Sequence, residues 1–194
     1  GVRVYWARAL GEAGVEPAVA ALAELVAFEQ DPMVLAPLLR AAGAFRDDRI
    51  RAALEARLAA GIPYYHARAA AYEALGAQRD RAPFERLAEA AGRDGFGGIV
   101  QAGALRALAA TRREEAVPLL LERAAFGATS NRARPTAVMA LGVLARLLDK
   151  APRARIVDAL CDLLRDPVHR VRAMAVAALQ AAGAAEAVPA LEAA

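Results

Sequence analysis

The chain has 194 residues, of which 58% are hydrophobic, and a formal net charge of only +3. Ala and Leu, both strong helix formers, supply most of the apolar content, whereas the aromatic residues favoured in strands make up 5%. One cysteine excludes an intramolecular disulfide framework, and the longest uncharged runs, 135–145 and 173–185, fall short of the ~18–20 apolar residues of a membrane span.

In chain order, "VRVYWARALG" from Val2 is followed by "VLAPLLRAAG" from Val34, "ARAAAYEALG" from Ala67, "VQAGALRALA" from Val100, "ARPTAVMALG" from Ala133 and "VRAMAVAALQ" from Val171. The steps are 32, 33, 33, 33 and 38 residues. Arg recurs at the second position (Arg3, Arg68, Arg134, Arg172), and Leu at the penultimate one (Leu10, Leu75, Leu108, Leu141, Leu179), with Ala42 the exception. Each segment is followed by a second amphipathic stretch anchored at Val19, Ile50, Phe84, Val117, Ile156 or Val188, with apolar residues three and four apart, which is one face of a helix.

Turn signals separate the two halves. Gly11, Gly43, Gly76 and Gly142 are expected to stop first helices, and Asp31-Pro32 and Asp166-Pro167 to act as an N-cap with Pro at the first helical position. Pro37 is expected to kink its helix. The longer fifth step predicts an extended first helix and a longer loop around Lys150–Arg153. One hairpin cannot bury its own face, but stacked hairpins share a continuous core. The fold class is therefore all-α, an α-solenoid of about six helical hairpins forming a single array over 1–194. Both ends lack polar capping helices, so a piece of a longer chain is expected.

The pattern "VRxxAAxALG…AVPxL" resembles HEAT-type repeats of the phycobilin lyase kind. The segments "YYHARAAAYEALGAQRD", "GFGGIVQAGALRALAATRREEAVPLLLERAAFGATSNRAR" and "DPVHRVRAMAVAALQAAGAAEAVPALEAA" are similar to the helical C-terminal region of bacterial zinc aminopeptidases of the membrane-alanyl/puromycin-sensitive type. The first resemblance covers the whole chain and the second residues 64–194. The HEAT resemblance implies a concave surface lined by first helices, with Arg8, Arg40, Glu73, Arg106, Met139 and Ala177 outward in register. As a groove this stripe suits an acidic peptide or protein surface. Tyr64 and Tyr65, just before a helix, join Arg8, Arg40, Glu73 and Arg106 as candidate interaction residues. Tyr72 occupies a small, buried repeat position and is expected in the core, as are aromatics at helical spacing generally.

No catalytic constellation is legible. The aminopeptidase signature H-E-x-x-H is absent, and the only histidines, His66 and His169, are far apart in sequence. "DGFGG" (94–98) lacks phosphate-loop spacing, and Ser130 has no nucleophile-elbow context. Cys161 lies on an apolar helical stripe and is expected to be a buried, inert thiol. No catalytic, metal or cofactor residues are assigned, and the chain is expected not to be an enzyme.

The expected function is a HEAT-repeat scaffold, the C-terminal domain of a zinc aminopeptidase-like protein, packing on its catalytic domain and shaping peptide access. The alternative is a free-standing protein-interaction adaptor. A helical-repeat lyase or nucleic-acid-binding protein ranks below both, because the arginines are interspersed with acids rather than gathered on one face. The expected partner is thus a protein or peptide, with no membrane span and a cytoplasmic location.

Overall fold

The computed structural model describes residues 5, 6, 9, 12, 16–130 and 132–193. The described residues form eleven α-helices and no strand: α1 (Glu16–Phe28), α2 (Pro32–Ala42), α3 (Asp48–Ala60), α4 (Tyr65–Gly76), α5 (Phe84–Gly92), α6 (Ile99–Ala110), α7 (Ala116–Ala124), α8 (Ala133–Ala145), α9 (Lys150–Asp162), α10 (His169–Ala182) and α11 (Val188–Glu192). The even-numbered helices α2 to α10 are the first helices of successive repeats, and each packs against the next first helix. The odd-numbered second helices form the other layer, α1 packing on α3 and α7 on α9. This is an all-α solenoid of HEAT-like hairpins. No helix among the described residues is long and apolar enough to cross a membrane.

The repeat positions explain the core. Leu75, Leu108 and Leu141 are fully buried, as is Ala42, and Leu179 is 1% exposed. Each such leucine contributes ~1.5–3 kcal/mol on burial. Val19, Ile50, Val117 and Ile156 complete the core from the second helices, whereas Val188, in the short α11, is exposed. Leu10 and Arg3 lie outside the described residues.

The glycines expected to stop first helices divide, and Gly11 lies outside the described residues. Gly43 caps α2 in the right-handed region and Gly76 is the last residue of α4, as expected, whereas Gly142 lies inside α8. A Cβ built on Gly76 would lie 2.3 Å from the Ala107 carbonyl oxygen, and one on Gly142 2.3 Å from that of Ala178. One on Gly103 would lie 2.8 Å from Ala69, and one on Gly43 2.8 Å from the Ala74 Cα. These glycines let neighbouring first helices touch backbone to backbone. A left-handed glycine does end α10, at Gly183 with φ 62°.

Other punctuation is corrected in the same way. Asp31 caps α2 as expected, its Oδ1 accepting from the Met33 N–H at 2.9 Å with Pro32 at the first helical position. The helix then runs through Pro37. Asp166 does not cap α10, which starts at His169. Its carboxylate instead accepts from the Val168 N–H at 2.8 Å and from the Arg134 guanidinium. The long fifth step is absorbed by the second helix: Lys150–Arg153 are the first turn of α9, and a 3-10 turn, Leu163–Arg165, extends it.

The recurrent second-position arginine has a shared structural task. Arg68 donates to the Ile62 carbonyl at 2.6 and 2.9 Å, and Arg172 to that of Asp166 at 3.0 Å. Arg134 donates to the Ala124 and Ala125 carbonyls at 2.8 and 3.0 Å. In the fourth unit Gln101 substitutes, donating to Ala91 O at 3.0 Å. Each side chain thus ties the entrance of a first helix to the chain that precedes it. Arg134 and Asp166 are 4% and 8% exposed, so theirs is a buried, bidentate pair.

Two predictions follow from this packing. Gly76→Ala or Gly142→Ala adds a methyl with no room, so each lowers the unfolding free energy by about 1–3 kcal/mol. That outweighs the ~1 kcal/mol that Ala gains over Gly in helix propensity, and a lower urea midpoint reports it.

Asp166→Ala strands a buried guanidinium and costs about 3–5 kcal/mol at neutral pH. The Arg134 hydrogen bond holds the Asp166 carboxyl below its ordinary value, so its contribution is complete above that value. It is lost as pH falls from about 3.9 towards the lower folded value. Asp47, held down to about 2 chiefly by the Arg49 side chain, acts in the same direction. Denaturation series at pH 7 and in acid show a shallower acid loss in Asp166→Ala than in the native chain.

Candidate functional site

Backbone contact between first helices brings their outward side chains into register. On α4, Glu73 stands between Arg40 of α2 and Arg106 of α6. Arg106 Nε donates to Glu73 Oε1 at 2.8 Å, and Arg40 Nε lies 3.6 Å from Oε2. Three of the expected stripe residues therefore form one ladder, in which two guanidiniums share a single carboxylate. The arginines are about half exposed, so the ladder contributes only ~0–1 kcal/mol per pair. Arg8 lies outside the described residues.

Beyond Arg106 the same face opens into a depression of about 380 Å³. Its floor is Ile99, Ala102, Pro135, Met139 and Met174, and its rim carries His66, Arg106, Arg132 and Arg170. None of its lining residues is acidic. Arg132 and Arg170 are exposed at the starts of α8 and α10, and among the described residues no carboxylate pairs with either. Guanidiniums over thioethers offer charge-assisted, bidentate hydrogen bonds above an adaptable apolar surface.

The stripe read from the sequence is thus only partly the site. Met139 lines the depression beside Arg106, but Ala177, Tyr64 and Tyr65 do not. Tyr64 and Tyr65 are each 43% exposed at the start of α4. His66, Arg132, Arg170 and Met174 were missed. A signal for them exists: His66, Ile99 and Arg132 are 33 residues apart, one helical turn or two before the positions chosen, and Arg170 follows at the long step of 38.

Other expectations divide. Tyr72 packs against the core as expected. Tyr5 and Trp6 are 70% and 59% exposed and meet edge to face at 6.2 Å, so aromatics at the start of the chain do not follow the general expectation of core filling. Cys161 is half-buried rather than buried. Burial, then Asp158, Asp162 and Glu186, push its thiol pKa up, which disfavours the thiolate. Among the described residues no group of three or more His, Cys, Asp or Glu is placed to hold a metal ion.

No family model matches the chain, and no curated protein matches it in sequence. Solved structures do match. One, human deoxyhypusine hydroxylase in complex with glycerol, aligns over 93% of this chain and 79% of that one, at 18% identity and a TM-score of 0.36. That neighbour is an enzyme, which corrects the expectation that this chain is not one: helical repeats are no evidence against catalysis. At this similarity neither its activity nor its site passes to this chain. No comparison links the chain to a zinc aminopeptidase.

Proposed function

We propose that this array is a protein-interaction scaffold whose first-helix face takes an acidic, partly apolar peptide segment of a partner protein. The observation that carries this reading is the acid-free depression in which Arg106, Arg132 and Arg170 stand around Met139 and Met174. Carboxylates of the segment meet the guanidiniums, and its apolar side chains meet the methionines. The Arg40–Glu73–Arg106 ladder borders this surface, and Glu73 competes there with incoming carboxylates for Arg106. A nucleic-acid backbone fits less well, since the surface carries methionines and has a carboxylate at its edge.

A narrower reading makes the array the C-terminal domain of a zinc aminopeptidase-like protein, with this face turned towards the peptide chamber. It rests on the sequence resemblance of residues 64–194 alone. In a free-standing adaptor the same face would meet a separate partner.

The test is fluorescence anisotropy with a labelled peptide of alternating Glu and Leu at low salt. Arg132→Glu/Arg170→Glu together weaken binding by roughly 10-fold or more, an effect of the size expected for reversing two contact charges. Glu73→Gln tightens binding and leaves the melting temperature nearly unchanged. Binding that ignores both changes would sink the proposal.

A further inference from the structure

A second charged feature lies at the other end of the first helices, at the turns that lead into the second helices. Arg46, Arg79 and Arg112 follow Gly43, Gly76 and Ala109 by three residues each and repeat every 33 residues. They line one groove of about 430 Å³ together with Val143 and Leu147. Arg46 and Arg112 are exposed and Arg79 half-exposed. Among the described residues no ion pair engages any of the three side chains. The carboxylates nearby are largely taken: Asp47 binds Arg49, and Asp48 meets Arg51 and, at 4.0 Å, Arg81. Asp80 is the one acid acting on Arg79, whose pKa is lowered by burial and then by Arg112 and Arg46. Arg46 and Arg112 thus both lie near enough to Arg79 to repel its charge.

Two of these arginines also hold unfavourable backbone. Arg79 has φ 58° and Arg112 φ 61°, the left-handed region in which Gly and Asn are at ease and arginine is uncommon. A glycine would serve the turn better. Arginine at both places, stacked on like charge, is what an anion-binding surface requires and what a mere turn does not. Val143 and Leu147, 43% and 42% exposed, give the row an apolar end.

We propose that Arg46, Arg79 and Arg112, with Val143 and Leu147, form a second docking ridge that takes the acidic face of an amphipathic partner helix. Charge complementarity selects carboxylates, and the apolar end selects a protein over a nucleic-acid strand. The spacing selects a helix: packed helices lie ~8–10 Å apart, and seven residues of helix rise about 10 Å. Carboxylates at every seventh position then face successive arginines, and a leucine beyond the last one reaches Val143 and Leu147. The ridge is separate from the depression around Met139 and Met174 and stands or falls independently of it.

The experiment uses the full chain and an alanine-based labelled helical peptide with Glu at positions i, i+7 and i+14 followed by Leu on the same face. A control peptide has the same composition with its Glu residues spread around the helix. Anisotropy at low salt should show the faced peptide binding at least several-fold more tightly than the control. Arg79→Gly/Arg112→Gly should weaken it roughly 10-fold, the scale of two lost charge contacts. This variant suits the backbone, so its melting temperature is kept or raised, and lost binding cannot be ascribed to misfolding. Arg132→Ala/Arg170→Ala should weaken binding of the faced peptide less than the glycine variant does. Equal binding of the control, undiminished binding by the glycine variant, or tighter binding of an oligothymidylate of equal charge would each overturn the ridge.

Discussion

Backbone contact between successive first helices is the constraint on which the rest of this molecule depends. With glycine at 43, 76, 103 and 142 and alanine opposite, α2 meets α4, α4 meets α6 and α8 meets α10 with nothing between them. The small residues that allow this contribute little apolar area themselves. The leucines beside them, Leu75, Leu108, Leu141 and Leu179, are buried between the layers. Tight stacking also fixes the distance between equivalent side chains, so that any residue type recurring every 33 positions becomes a row.

What a row does depends on its charges. Where Glu73 falls between Arg40 and Arg106 the row is compensated and largely structural. Where Arg46, Arg79 and Arg112 coincide, no ion pair among the described residues engages them, and burial and the two like-charged neighbours lower the pKa of Arg79. Around Met139 and Met174 the same face carries a depression with a basic rim. A chain with a net charge of only +3 thus gathers arginines at two places on its surface, which the overall balance conceals.

The second-position arginine acts within the scaffold rather than on its surface. Arg68, Arg134 and Arg172 each bind carbonyls of the segment that leads into their helix, and Gln101 does so in the fourth unit. Arg134 goes further and reaches Asp166 in the next inter-repeat loop, so one buried pair spans two units. Its partner must stay ionised for the pair to persist, which links that junction to pH.

The sequence by itself determined the periodic part of this protein: helical hairpins of about 33 residues, their buried leucines, and the stripe containing Arg40, Glu73 and Arg106. Periodicity is local information, since a 3.6-residue pattern and a repeat step name the faces that must be buried. Only the tertiary structure decided what the non-apolar positions do. Gly142 reads as a helix stop until the neighbouring helix is seen against it, and Asp166-Pro167 reads as a cap until Arg134 is found beside it. Arg132 and Arg170 share one register in the sequence, but only the structure sets them around a depression with Met139 and Met174. Each of these depends on which atoms lie across an interface, and that is a property of the stacked array rather than of any one repeat.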